Sequence, residues 1–478
     1  MQEYEMLMAF VTNVLFVATL GWYLITNLQW YDYKLSRVVL KHHKPLWHLF
    51  YFFIPFIAYY TTGQFFMIFF YFAVLPSIFI WHRKLDKKLV LTWRVKRFLI
   101  LLISLTLFQD VLCTLKSACE VYGVFMPLAI AYIGSFLIEK FLFEAFKKQA
   151  KEKLASMQNL QIIAITGSYG KTSIKNFLSE ILSTKYKVYS TPRSVNTLGG
   201  IMRDVNESLP EDTEIYICEA GARESGDIYD ITTFVEPQTV VVGKVGQAHI
   251  EYFKTLENII STKLEIMQSP RLENAYIHNS VTDEPHDKVT FFGSDISNVE
   301  ATLSGTDFMY EDLNLHTDIL GSFQTMNIEV VIKIAFQFGM NDSEIIDAVA
   351  KLTPVEHRLQ LIKAGGKIIL DDGYNGNIDG MLEGVRLCSL HKGGNKVIVT
   401  PGLVESTKEL NLKLIEQINN TFDIVIVTGA LNAKLFDENL KVKQKTILHD
   451  KTKITNILAS QTKAGDIILF ANDAPSFI

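Results

Sequence analysis

Hydrophobic and polar positions divide the chain into two unlike parts. Over the first 150 residues the apolar positions form long runs, at 6–26, 46–62, 65–81, 98–115 and 121–138. A helix needs about 20 mainly apolar residues to cross a hydrocarbon core, so five spans are expected. The second and third runs are rich in Phe and Tyr and are parted only by Thr62, Gly63 and Gln64, which reads as a tight hairpin or a re-entrant pair. From Leu160 the pattern changes to short apolar runs that alternate with amphipathic stretches. IIAIT, KVYST, EIYICEAG and TVVVGKV predict four strands with helices between them, hence a parallel sheet. Near Pro354 the pattern restarts, and KIILDDG, KVIVTPG, FDIVIVTG and DIILFA predict a second, smaller parallel sheet.

Charge orders the apolar runs. Lys34, Arg37, Lys41 and Lys44 lie between the first two, Arg83, Lys84, Lys87, Lys88, Arg94, Lys96 and Arg97 between the third and fourth, and Lys147, Lys148, Lys151 and Lys153 after the fifth. The opposite ends carry Glu3, Glu5, the Thr-Gly turn, and Lys116 with Glu120. The positive-inside rule then predicts an N-terminus outside, five crossings and a cytoplasmic remainder. The first run lacks a basic leader and a small-residue cleavage site, so it reads as retained. FEAFKKQAKEKLASMQ reads as a basic helical linker along the inner membrane face. Net charge is −5, which gives no reason to expect nucleic acid as a partner. Cys113, Cys119, Cys218 and Cys388 are scattered, without CxxC or metal-ligand spacing, and disulfides are not expected.

Candidate chemistry concentrates at residues 162–172, IIAITGSYGKT, followed by the helix-like SIKNFLSEIL. Strand, glycine-rich turn and helix in that order make a phosphate cradle. Gly167, Ser168 and Gly170 form the turn. The amides of Gly170, Lys171 and Thr172 would face phosphate oxygens, Lys171 adds a mobile cation, and the Thr172 hydroxyl is placed to ligate magnesium. Ile165 stands where the first glycine of the usual GxxxxGK[ST] spacing would be. The chain is thus expected to be an α-helical membrane region (1–145), a basic linker (146–159), and then α/β: a P-loop parallel-sheet ATPase domain (160–353) and a smaller Rossmann-like C-terminal domain (354–478). Glu219 follows the strand IYIC at a carboxyl edge, where a carboxylate could join Thr172 on a metal. His249 follows TVVVGKVGQA at a similar edge. Lys263, in IISTKLEIM, is not singled out by spacing, since a helical lysine is usually a solvated face.

Taken together, TGSYGKT, TPRSVNTLGGI, EAGARESGDI, VGQAHIEYFKTLENIISTKLEI, HRLQL and DDGYNGN resemble the Mur ligase family, the ATP-dependent amide-bond-forming enzymes of bacterial peptidoglycan precursor synthesis. The resemblance runs from Leu160 to the C-terminus and is nearest to the D-alanyl-D-alanine-adding branch, through Glu219 to Ile228, Ala248 to Glu251 and Asp371 to Asn375. It implies that Gly167, Ser168, Gly170, Lys171 and Thr172 hold ATP phosphates and Mg2+, and that Glu219 and His249 complete the metal ligands. It implies that Lys263 is carbamylated by carbon dioxide into a carboxylate-like ligand, and that Lys171, His249 and Lys263 are the catalytic set. Asn327 would contact adenine, Arg358 and Asp372 would close onto the nucleotide, and Asn196, Thr197 and Asn375 would face the sugar-peptide substrate. The implied partners are ATP, UDP-muramoyl-tripeptide and D-Ala-D-Ala, with membrane lipids and other cell-wall synthesis proteins around a multi-pass inner-membrane protein. The family's uridine-binding N-terminal domain is not recognisable, and the apolar region stands in its place. Gly376 and Ile378 replace the alanine and proline of a YNANP pattern, His357 a glycine and Gln324 an asparagine. A variant reading is a membrane-bound ligase that acts on a lipid-linked muropeptide or polymerises an amino acid such as glutamate. A non-enzymatic scaffold that only senses ATP is the third.

Overall fold

The computed structural model describes residues 2–473 apart from 32, 41, 86, 117–120, 247–252, 283, 285, 286, 375 and 405. The chain forms two compact units, Met1–Lys147 and Lys148–Ile478.

In the first unit, four helices among the described residues are long and apolar enough to cross a membrane: Tyr4–Trp30, Phe65–Arg83, Trp93–Leu115 and Phe125–Ser156. The fifth expected span, Leu46–Thr61, is shorter; its 16 residues cover about 24 Å, less than a bilayer's hydrocarbon core of about 30 Å. π-helical turns at Leu49–Phe53 and Phe70–Val74 precede Pro55 and Pro76, whose missing amides and ring bulk disturb the α-helical ladder one turn back. The unit packs around Phe16, Phe66, Phe70, Phe98 and Leu102. At Gly21 a Cβ would lie 2.1 Å from Leu102 Cδ2, so the helix crossing there requires glycine. The buried Asn13 Nδ2 donates to both oxygens of buried Asp110, at 3.0 and 2.9 Å. Large apolar side chains such as Phe65, Phe72, Phe108 and Phe141 face outward.

The basic segment after the last span continues the helix Phe125–Ser156, which after Gly134 contains neither glycine nor proline to stop it. One expectation for this part is corrected. Cys113 is disulfide-bonded, whereas Cys218 and Cys388 are buried free thiols. A disulfide near the end of the helix Trp93–Lys116 calls for an oxidising environment there, which the chain-wide reading of the cysteines overlooked.

The second unit holds two six-stranded sheets and a three-stranded one. The first sheet comprises β1 (Gln161–Thr166), β2 (Val188–Ser190), β3 (Ile215–Glu219), β4 (Thr239–Val242), β5 (Asn274–His278) and β6 (Val289–Phe292), in the order β2-β3-β1-β4-β5-β6 and parallel throughout. Central β1 pairs β3 on one side and β4 on the other, so the strand order reverses there, and its carboxyl end is where an open α/β sheet receives a ligand. β5 and β6 add to the four expected strands. An antiparallel sheet of β7 (Ile296–Thr302), β8 (Gly305–Tyr310) and β9 (Leu313–Thr317) was not expected at all. The helix Lys171–Leu182 packs Ile174, Phe177, Leu178 and Ile181 into a core shared with helix Gln324–Gln337.

The C-terminal sheet contains β10 (Gln360–Ala364), β11 (Lys367–Asp372), β12 (Lys396–Thr400), β13 (Ile424–Thr428), β14 (Gln444–Leu448) and β15 (Ile467–Ala471), ordered β10-β11-β15-β12-β13-β14. It is neither smaller in strand number nor wholly parallel. β10 joins β11 antiparallel through the tight Gly365-Gly366 turn, with φ of +58° and +72°. No crossover helix separates this pair, which therefore cannot run parallel.

Candidate active site

β1 delivers residues 167–170 to the N-terminus of helix Lys171–Leu182. Gly167 and Gly170 have φ of +145° and +82°, a conformation that side chains resist. The amides of Ser168 and Tyr169 both donate to the Lys244 carbonyl at 3.1 Å, which fixes the loop against the segment after β4. Gly170 caps the helix without a side-chain hydrogen bond, leaving its first-turn amides available to an anion.

Above the loop lies a cavity of about 580 Å³, lined among others by Lys171, Thr172, Asn327, Arg358, Asp372 and Tyr374. Its walls come from the ends of both large sheets. Lys171 Nζ folds back onto the Gly167 carbonyl at 2.7 Å. Burial and the nearby Arg358 guanidinium lower its pKa, against the pull of Glu219. Arg358 binds the Tyr374 carbonyl, and burial lowers its pKa too. Lys263 is buried, and burial together with Lys171 pushes its pKa down to about 7. Lys171 and Arg358 thus face one cavity, with Lys263 buried in the field of Lys171, a charge distribution suited to a polyphosphate.

Glu219, at the end of β3, is 3 % exposed. Thr172 Oγ1 donates to its Oε2 at 3.3 Å. Lys175 Nζ lies 3.0 Å from Oε1, yet Oε1 accepts no hydrogen bond; the ammonium donates instead to the Thr191 carbonyl at 2.6 Å. Oε1 is thus neutralised by the Lys175 ammonium, while Oε2 and the adjacent Thr172 hydroxyl are a pair of oxygens that a hard divalent cation could share. Lys263 as a plain amine does not fit, since an ammonium cannot ligate, whereas a carbamate there would. Among the described residues no three His, Cys, Asp or Glu side chains converge on a metal position. His249 and Asn375 lie outside the described residues.

The expected residues divide into two groups. Ser168, Gly170, Lys171, Thr172, Asn327, Arg358 and Asp372 share the cavity wall, while Gly167, Glu219, Lys263, Asn196 and Thr197 do not. Asn196 sits beside the β3 edge, its carbonyl accepting from Gly221 N at 2.8 Å. The Thr197 hydroxyl already caps helix Leu198–Glu207 by accepting from Gly200 N at 3.3 Å.

Comparison with known proteins bears on this geometry. Residues 165–335 match the model of the Mur ligase middle domain. That stretch of the chain is thus similar to the middle domain of the Mur ligases. It is 27 % identical over 350 residues to the UDP-N-acetylmuramoyl-tripeptide–D-alanyl-D-alanine ligase of Bacillus subtilis, covering 68 % of this chain and 76 % of that one. The enzyme of the same name from Borreliella burgdorferi is 26 % identical over 62 % of this chain and 64 % of its own length, so that match spans less than two thirds of the relative. Among solved structures, the MurF ligase of Thermotoga maritima in complex with ADP superposes with a TM-score of 0.60 at 27 % identity, over 69 % of this chain and 80 % of that one.

Around this cavity, several residues escaped sequence reasoning. Lys244 pairs with Asp379 at 2.9 Å, tying the loop after β4 to the C-terminal part. Arg193 pairs with Glu356 at 2.6 Å and lies 4.5 Å over the Tyr374 ring. Lys244 stands two residues beyond a buried strand, the same cue that drew attention to Glu219 and His249. Arg193 and Tyr374 fall inside the quoted motifs but were given no role, since what marks them is the contact each makes with the other.

Proposed function

We propose that this protein is a MurF-type ligase, which uses ATP to join D-alanyl-D-alanine to UDP-N-acetylmuramoyl-tripeptide. The observation that carries the reading is the glycine loop at the end of β1, with Lys171, Thr172 and Arg358 lining one cavity and Thr172 hydrogen-bonded to the buried Glu219 carboxylate. The names of the relatives support the substrate pair. Lys171 and the first-turn amides hold the ATP phosphates and offset charge during transfer. A substrate carboxylate attacks the γ-phosphate, ADP leaves, and the incoming amine then displaces phosphate from the acyl phosphate. Arg358 and Asp372, carried by the C-terminal part, limit water at that intermediate. Thr172, Glu219, His249 and a carbamylated Lys263 would hold Mg2+, which would supply charge neutralisation at the phosphates. The near-neutral pKa of Lys263 supports carbamylation, because carbon dioxide reacts with the free amine.

The apolar helices support a membrane location, with the catalytic part on the cytoplasmic side. They also favour a second reading, a related ligase acting on a lipid-linked muropeptide. Phosphate release by the detergent-solubilised full chain, with ATP and Mg2+, separates the two. Release only with UDP-muramoyl-tripeptide and D-Ala-D-Ala together is expected. Release with a lipid-linked acceptor, and none with the UDP-linked one, would assign the second reading.

A further inference from the structure

Arg358 lines the cavity from the C-terminal part, but what holds it there begins on the first sheet. Thr191 follows β2, and its amide donates to the Ile217 carbonyl of β3 at 2.9 Å. The turn that comes next is closed by the Val195 amide, which donates to the Pro192 carbonyl at 3.2 Å. Arg193 and Ser194 form its corner, and Ser194 takes φ +66°, where glycine is usual. This turn, tied to β3, presents Arg193 to Tyr374, two residues beyond β11. The Arg193 guanidinium lies 4.5 Å from the centroid of the Tyr374 ring and pairs with Glu356 at 2.6 Å. The His357 ring stands edge-on to the same tyrosine, at 4.9 Å and 76°. Tyr374 is half-exposed and lines the cavity, so these contacts are what hold its ring. Its backbone is engaged too: the amide donates to the His357 carbonyl at 3.3 Å, and the carbonyl accepts from Arg358 Nη1. Arg358 thus takes its position from Tyr374, and Tyr374 from Arg193.

The two guanidiniums repel each other. Burial lowers the Arg358 pKa, Asp372 and Glu219 raise it, and the Arg193 charge lowers it again. Arg193 stays beside Arg358 against that repulsion because the face of Tyr374 and the Glu356 carboxylate hold it. The Glu356 pair is exposed and contributes little, so the ring contact carries the placement. We propose that Arg193 is a positioning residue for ligation: by holding the Tyr374 ring it sets Arg358 in the wall of the nucleotide cavity and so keeps water from the acyl phosphate. This rests on the ligase reading above, in which Arg358 limits water at that intermediate.

The test compares phosphate released with ligated product formed by the detergent-solubilised full chain, given ATP, Mg2+, UDP-muramoyl-tripeptide and D-Ala-D-Ala. The wild type is expected to release one phosphate per product. Arg193→Met keeps the long stem and loses the charge. Its product turnover is expected to fall about 3–10-fold, the scale of one cation–π contact. Phosphate released per product is expected to rise to about two or more, because water attacks the acyl phosphate and returns the carboxylate with free phosphate. A smaller folded fraction would lower phosphate and product alike and leave their ratio at one, so the ratio separates positioning from stability. Arg193→Lys keeps a cation over the ring, without the flat guanidinium, and is expected to lie between the two. Tyr374→Leu is expected to match Arg193→Met, and the double variant to be no worse than either, since both act through one contact. A ratio of one in Arg193→Met, or losses that multiply in the double variant, overturns the proposal. A wild-type chain that forms no product overturns the ligase reading itself, and the proposal with it.

Discussion

Gly170 and Asn327 leave each other no room: a Cβ on Gly170 would lie 2.4 Å from Asn327 Oδ1. The phosphate loop is thereby set against the helix Gln324–Gln337, where Gln324 Oε1 accepts from Asn327 Nδ2 at 2.8 Å. Gly170→Ala faces both this clash and a φ of +82°, which costs a side-chain-bearing residue about 1–2 kcal/mol. ADP affinity is expected to fall about tenfold or more, with the melting temperature lowered by a few degrees at most; an ADP titration beside a thermal melt reads both.

Lys171→Ala removes the loop cation without disturbing the glycines. Its ammonium is the one that can leave the Gly167 carbonyl and follow the transferred phosphoryl group. Loss of one such preorganised donor costs about 100-fold or more in turnover. Steady-state phosphate release is expected to show that loss, with the fold intact by circular dichroism.

His357 occupies φ +60°, where the resemblance expects glycine, and its Nδ1 lies 2.6 Å from Oδ2 of the buried Asp371. The hydrogen bond offsets the strain. His357→Ala keeps the strain and loses the bond, whereas His357→Gly loses only the bond. The expected order of melting temperatures is wild type, then Gly, then Ala, with about 1 kcal/mol between the two variants.

How far the site was legible depends on whether its cause is local. The loop could be read because strand, glycines, Lys171 and Thr172 are consecutive. Lys263 could not be read from its own helix, since what marks it is burial beside Lys171, a tertiary fact; only the resemblance pointed to it. β5 was missed for a different reason: the strand NAYIH is short and flanked by charge. The antiparallel β7–β9 sheet carries exposed Ser, Asn and Glu in β7, which blurs its alternation. Over the apolar part, hydropathy located the helices but not their ends, since Phe125–Ser156 continues through charged residues that a helix tolerates.

Lys263 gives a pH signature with a definite sign. Its folded-state pKa is about 7, below the ordinary lysine value of 10.5, so the unfolded chain binds more protons between these values. In carbon dioxide-free buffer the buried amine therefore destabilises the fold fully below about pH 7, and the penalty fades as pH rises toward 10.5. Lys263→Met is expected to melt above wild type at pH 6, with the gap narrowing by pH 9. With 13C-bicarbonate, a carbamate carbon resonance is expected in the wild type and not in the variant, weakening as pH falls through 7 and the amine protonates. A gap that widens with pH would contradict the assigned pKa.

The short helix Leu46–Thr61 decides the membrane topology. If it crosses, the five crossings put the N-terminus and the catalytic part on opposite sides; if it does not, they share a side. On the proposed membrane reading the later crossings are the same either way: the basic stretch around Arg83–Arg97 would face the cytosol, and the disulfide-bonded Cys113 would lie toward the far end of its helix. The difference falls on Lys34, Arg37 and Lys44, which a non-crossing helix would place outside, against the positive-inside preference. A span short by about 6 Å is accommodated by local thinning of the bilayer, at a fraction of a kcal/mol per Å. Moving a basic loop across is harder, so the helix is expected to cross. Reporter fusions are therefore expected to read periplasmic at the N-terminus and cytoplasmic at the C-terminus. A cytoplasmic reading at both ends would mean that Leu46–Thr61 is re-entrant.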